Sequence, residues 1–245
     1  MAKKAKVKVK EKLIKLILAL VLVAILVVAD SVGIDLGRIF GENTISYTTS
    51  YDLTTIPQFV DEPYVVLNDN KPIFDEADYT SDTYEKYSEL DYLGRCGPVF
   101  AIVGIETMPT EERGEIGQVK PSGWQTVKYD IVDGKYLYNR CHLIGFRLTG
   151  ENANKGNLIT GTRYMNVDGM LPFENMVADY VQETGNHVLY RVTPIFEGEN
   201  LVASGVQIEA ESVEDEGKGI CFNVYVYNVQ PGVTIDYSNG ESKLS

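Results

Sequence analysis

The sequence predicts an α+β fold, mostly antiparallel sheet with a few helices, one of which lies next to the chemistry. Three observations predict it. Strand-like runs close the chain at His187 to Phe196, Val202 to Glu209 and Gly219 to Val229; a helix-period segment, Pro172 to Thr184, precedes them; and an Asp133-Gly134 pair sits between two strand-like runs.

The first element is set apart by charge. Seven lysines among residues 1–15 precede the uncharged run Leu16 to Ala29. Lysines crowded before an apolar stretch read as an exported chain's signal peptide or membrane anchor over residues 1–30, with Val27-x-Ala29 as a cleavage site if it is removed. Fourteen apolar residues fall short of the about 20 that span a bilayer core, although Leu13 and Ile14 extend the run. Both readings export the remainder to the extracellular side. An N-terminal hydrophobic helix is expected here.

Residues 31–60 mix Gly, Thr, Ser and Tyr without helical period and read as a linker, residues 61–237 as the folded domain and 238–245 as a tail. At 245 residues with 44% hydrophobic content, one substantial core is the simplest organisation, and a disordered chain is excluded. Pro63 to Pro72 predicts a short strand and a turn. Val99 to Val103, continuously apolar, predicts a buried strand, followed by a loop with Pro109, Glu111, Glu112 and Arg113. Gly123 to Asp130 and Lys135 to Asn139 predict two strands around Asp133-Gly134, a hairpin that delivers His142. In the helix, Phe173, Met176, Val177, Tyr180 and Val181 form the apolar stripe and Gly185 ends it.

Charge narrows the function classes. The net formal charge is −13, and because residues 1–15 contribute about +6, the remainder carries about −19. Proteins that wrap nucleic acid by counterion release are normally basic. The acid is concentrated in Tyr51 to Tyr92 and Glu197 to Glu216, whereas Gly94 to Arg191 holds ten Arg/Lys against eleven Asp/Glu. A local basic groove on an acidic body is the expectation.

Cys96, Cys141 and Cys221 fall in the exported part, where a disulfide is permitted; the odd count leaves at least one unpaired within the chain, and a Cys96–Cys141 pair is one arrangement. No CxxC or CxxH spacing occurs, which disfavours a zinc site. Cys141 beside His142 does not make a nucleophilic dyad, since adjacent strand residues point to opposite faces. His187, at a strand start with no motif around it, reads as an ordinary satisfied histidine. Trp124 reads as a core aromatic rather than a stacking platform for bases.

Asn139-Arg140-Cys141-His142, Asn157, Asn166 and Glu174 stand in a short window, nine residues separating the later asparagines and eight separating Asn166 from Glu174. In this combination, over about Gly94 to Phe196, the chain resembles the DNA/RNA non-specific endonucleases with a ββα-metal, or His-Me, finger. Their hallmark is Asp-Arg-Gly-His on the second strand of a hairpin, followed by asparagines and a glutamate on the next helical segment. Here Asn139 stands for the aspartate and Cys141 for the glycine.

The resemblance implies a magnesium-dependent endonuclease, with Mn²⁺ as a substitute metal, that hydrolyses DNA and RNA to 5′-phosphate products. His142 would be the general base, because neutral imidazole accepts a proton near neutral pH. Asn166 would hold the one metal ion through its amide oxygen, as hard magnesium prefers. Glu174 would orient metal-bound water, Asn157 would hold the His142 loop or a metal water, and Arg140 would pair with the scissile phosphate. Lys128, Arg147, Lys155 and Arg163 are the other basic candidates for the nucleic-acid groove. No small-molecule cofactor is expected. The alternative from another class is a cell-surface binding module that keeps the fold without activity.

Overall fold

The computed structural model describes residues 56–79 and 82–245, so the expected N-terminal helix over 1–30 and most of the 31–60 linker lie outside the described residues. Among the described residues no helix is long and apolar enough to cross a membrane.

A six-stranded antiparallel sheet forms the body. Its strands are β1 (Tyr64–Val66), β2 (Glu85–Tyr87), β3 (Val99–Val103), β6 (Val188–Ile195), β7 (Gly205–Ser212) and β8 (Cys221–Tyr227), in the order β1-β8-β7-β6-β3-β2. Alternation decides which side chains face where. Val188, Tyr190 and Val192 of β6, Val206, Ile208 and Ala210 of β7, and Phe222, Val224 and Val226 of β8 enter one core. The helix α2 (Leu171–Thr184) covers that face through Phe173, Val177, Ala178 and Val181. Met176, expected on the apolar stripe, is exposed instead; the sheet meets a narrower arc of the helix than the sequence pattern offered. Gly185 closes α2 with φ of 72°, the left-handed turn for which glycine carries no side-chain penalty.

The opposite face is covered by the segment after β1. Phe74 packs on Phe100, Ile102 and Leu189, and Leu67 packs on Tyr225 and Tyr227. Beneath it Arg191 and Glu209 form a buried ion pair, Nε to Oε2 at 2.8 Å, and Glu209 Oε1 accepts from the Ile73 amide at 3.0 Å. Both charges are thereby paired and hydrogen-bonded, which a buried charge requires. Packing begins before the expected boundary at 61: Ile56 and Phe59 join the Leu67 cluster, and Tyr227 Oη donates to the Pro57 carbonyl.

The finger that holds the site is a second, two-stranded sheet of β4 (Tyr138–His142) and β5 (Leu158–Thr162), with His142 opposite Leu158. This corrects the expected hairpin. The runs around Asp133-Gly134 meet only at an isolated Lys128–Tyr136 bridge, closed by a turn in which Gly134 and Lys135 have positive φ. The register of β4 comes instead from β5, with Cys141 opposite Ile159. Between them run the short helix α1 (Phe146–Thr149) and a loop, and after β5 a wide helical turn, Met165–Met170, leads into α2.

Residues 238–245, expected as a tail, are folded. β9 (Val233–Ile235) pairs with β10 (Ser242–Leu244), and Tyr138 Oη donates to the Gly240 carbonyl at 2.9 Å. Val233 and Ile235 share a small core with Val132, Leu137, Tyr138 and Trp124, so the chain end supports the segment in front of β4.

Candidate active site

His142 ends β4 and is 6% exposed. Its Nε2 lies 2.8 Å from the Asn152 carbonyl oxygen, which can only accept, so Nε2 carries the proton and donates. Nδ1 is then the basic atom. It faces the Arg113 guanidinium, whose Nη2 donates to it at 3.1 Å. Burial, with the Arg113 charge adding to it against the opposing Asn152 bond, lowers the His142 pKa to about 4, so the ring is neutral at neutral pH.

Asn157 sets the loop that makes this possible. It is fully buried; its Oδ1 accepts from the Ile144 amide at 2.8 Å, its Nδ2 donates to the Ile144 carbonyl at 2.9 Å, and its own carbonyl accepts from the Leu143 amide at 2.8 Å. These bonds tie Asn157 to the chain just after His142. Asn157 does not line the cleft.

The cleft itself, of about 310 Å³, is lined by Arg113, Asn139, Arg140, His142, Arg163, Asn166 and Glu174 among others. Asn166 arrives on the wide turn and Glu174 on the first turn of α2. The turn's extra residue per revolution lets positions eight apart face the same space. Asn166 Nδ2 points to Asn139 Oδ1 at 3.5 Å, and among the described residues Asn166 Oδ1 accepts no hydrogen bond. Glu174 likewise accepts none there, and burial, only partly offset by Arg113, raises its pKa to about 7. Gly145 permits its approach, since a Cβ there would lie 2.4 Å from Glu174 Oε2. A half-buried carboxylate and a free amide oxygen across one polar cleft are the hard donors a hydrated divalent cation takes.

The remaining candidates sit in defined contacts. Arg140 lines the cleft, but it donates from Nη2 to the Gly117 carbonyl at 2.8 Å and from Nε to the Val119 carbonyl, while Cζ stacks 4.0 Å from the Trp124 ring centroid. It is already engaged, and Trp124 is its platform. Asn139 touches Asn166 and Arg163. Cys141 is fully buried, with its thiol pKa pushed up by burial, and its Sγ fills the space left by Gly161, where a Cβ would stand 2.4 Å away. All three cysteines are free.

The basic candidates separate. Arg163 lines the cleft, paired with Asp133 at 2.7 Å. Arg147 is turned onto α2, pairing with Asp179 at 2.6 Å and donating to Asn175 and Gln182, because the exposed side of that helix offers it three oxygens. Lys128 sits over the Tyr136 ring at 4.3 Å, and neither it nor Lys155 lines the cleft. His187 is held elsewhere, between Glu214 and Glu106. The sequence reading missed Arg113, which lies in an irregular loop with no motif; only its place on the exposed stretch before β4 could have signalled it.

The sequence model of the DNA/RNA non-specific endonucleases matches residues 76–214. The chain belongs to this family. The crystal structure of NucA from Streptococcus agalactiae with magnesium bound is similar at 26% identity with a TM-score of 0.67, over 77% of this chain and 89% of NucA. The Sda1 nuclease with bound zinc is 27% identical with a TM-score of 0.65, over 75% of this chain and 97% of that one. An extracellular endonuclease at 18% identity and a TM-score of 0.54, over 76% of this chain and all of that one, shares the fold.

Proposed function

We propose that this non-specific endonuclease is an exported, magnesium-dependent enzyme that hydrolyses DNA and RNA to 5′-phosphate ends, with His142 as general base. The observation that carries this reading is the Nε2–H to Asn152 bond, which leaves the Nδ1 lone pair on the cleft side beside Arg113. A water on that side gives its proton to Nδ1, and the imidazolium formed is steadied by the Asn152 carbonyl. The Arg113 guanidinium moves onto the phosphate, where its fork matches two oxygens, and in doing so uncovers Nδ1.

Asn166 and Glu174 would hold the metal, Asn166 through Oδ1 and Glu174 directly or through a water; Asn139 keeps the Asn166 amide turned. Bound there, magnesium supplies charge neutralisation for the phosphate and the departing 3′-oxygen. The magnesium-bound NucA supports that metal, and the zinc-bound Sda1 indicates that other divalent ions fit such a site. The fold-level likeness to an extracellular endonuclease and the basic, apolar chain start support export, whether that start is cleaved or kept as an anchor.

The test is digestion of plasmid and of RNA by the purified domain, with magnesium and with chelator, followed by end-group analysis. Conversion of supercoiled plasmid to 5′-phosphorylated fragments is expected, with loss of about 10²–10⁴-fold in rate for His142→Ala. Normal cutting by that variant refutes the base. Unchanged magnesium dependence in Asn166→Ala refutes the ligand, and intact plasmid in every lane returns the chain to a binding module.

A further inference from the structure

We infer that Arg140 is a positioning residue that acts through Arg113: it rivets the segment 113–124 to β4 so that Arg113 stands over the base. The inference rests on the reading of His142 as that base. Arg140 and His142 are two apart on one strand and therefore project from the same face. The segment 113–124 passes across both and pairs with no strand.

Its attachments are specific. Arg140 donates to the carbonyls of Gly117 and Val119 while stacking on Trp124, which lies farther along the same segment. Thr160 Oγ1 donates to Ser122 O at 2.8 Å, and the Gly240 turn of the C-terminal hairpin sits against Gly123 so closely that a Cβ at 240 would overlap its carbonyl. Upstream of these, the segment's side-chain bond to the body is Arg113 to His142 at 3.1 Å, four residues before Gly117. A guanidinium can serve two carbonyls and a ring at once because its donors lie in a plane whose face remains free; an ammonium cannot. Arg140 thus has two N–H directions committed to the segment, while Arg113 is an exposed residue.

If Arg140 were instead a direct phosphate ligand, its removal would leave the Arg113–His142 contact of the free protein unchanged. The two roles separate in metal-free protein without substrate. Titration of His142 by ¹⁵N NMR, with His187 as the second, distinguishable imidazole, reads the Arg113 cation directly. Arg113→Ala is expected to raise the His142 pKa by about one unit, the usual effect of removing a neighbouring like charge. Arg140→Ala should produce the same rise, and Arg113→Ala/Arg140→Ala no more than Arg113→Ala by itself. Cleavage should follow the pattern, the second substitution costing little once the first is made. Arg140→Lys, which keeps charge and stem but not the planar fork, carries the same test should Arg140→Ala fail to fold, and is expected to behave like Arg113→Ala.

An Arg140 variant whose His142 titrates as in the parent, or whose rate loss multiplies that of Arg113→Ala, overturns the inference. That result leaves the base assignment intact as long as His142→Ala remains inactive. Normal cleavage by His142→Ala removes the base assignment, whatever the titrations show.

Discussion

Lowering the pH on metal-free protein sets His142 and Glu174 against each other, and single substitutions should reveal it. His142 is depressed from 6.5 to about 4 in the fold, so as pH falls through 6.5 the unfolded chain takes up a proton that the folded one refuses, and stability drops. Glu174 is raised from 4.5 to about 7, so as pH falls through 7 the folded chain takes up a proton first, and stability rises. Between pH 8 and pH 5 linkage gives a loss of about 2 kcal/mol from His142 and a gain of about 2.5 kcal/mol from Glu174. The pair is thus nearly silent in the parent protein. In Glu174→Gln the gain disappears, so the variant should fall behind its parent by about 2.5 kcal/mol more at pH 5 than at pH 8, about 5–10 °C in Tm. His142→Gln should move the other way by about 2 kcal/mol. Urea unfolding in chelator at the two pH values, variant minus parent, is the assay, and subtraction removes the remaining carboxylates. Parallel curves for Glu174→Gln at both pH values would refute the half-buried, unpaired state of that carboxyl on which the proposed metal site depends.

Other outcomes follow from single contacts. Asn157→Ala strips both side-chain bonds from Ile144, leaving a buried amide and carbonyl unpaired; a loss of about 3 kcal/mol is expected in urea melts, with the cleavage rate falling as Asn152 loses its hold on His142. Gly161→Ala drives a Cβ into Cys141 Sγ, which should cost about 1–3 kcal/mol, and Cys141→Gly in the same chain should restore most of it; equal stability of the single and double variants counts against the packing described. Deleting residues 238–245 removes β10 and the Gly240 acceptor of Tyr138, so lowered Tm together with a weaker rate is expected, whereas an inert tail would change neither.

Much of the body was legible because it rests on local periodicity. β3 is a five-residue apolar run buried at every position, β6 and β8 lie within the predicted strands, and α2 spans its predicted helix with one extra residue at the start. β7 runs Gly205–Ser212 rather than Val202 to Glu209, since pairing with β6 and β8 fixes where its ladder begins and ends. β2 and β10, three residues each, have no period to read; only a partner strand defines them.

By itself the sequence marked the candidates for the chemistry, since His142, Asn157, Asn166 and Glu174 are chemically distinct groups at telling intervals, and it determined the class of fold through alternation and helical period. The tertiary structure decided what each group does. Which nitrogen of His142 is basic depends on a carbonyl ten residues away, and Arg140 faces backbone oxygens and an indole rather than open solvent. Arg113 reaches His142 only because an irregular segment is folded back over β4. Spacing reports distance along the chain, whereas hydrogen bonding and desolvation depend on distance through space, and in a loop with no period the two are unrelated.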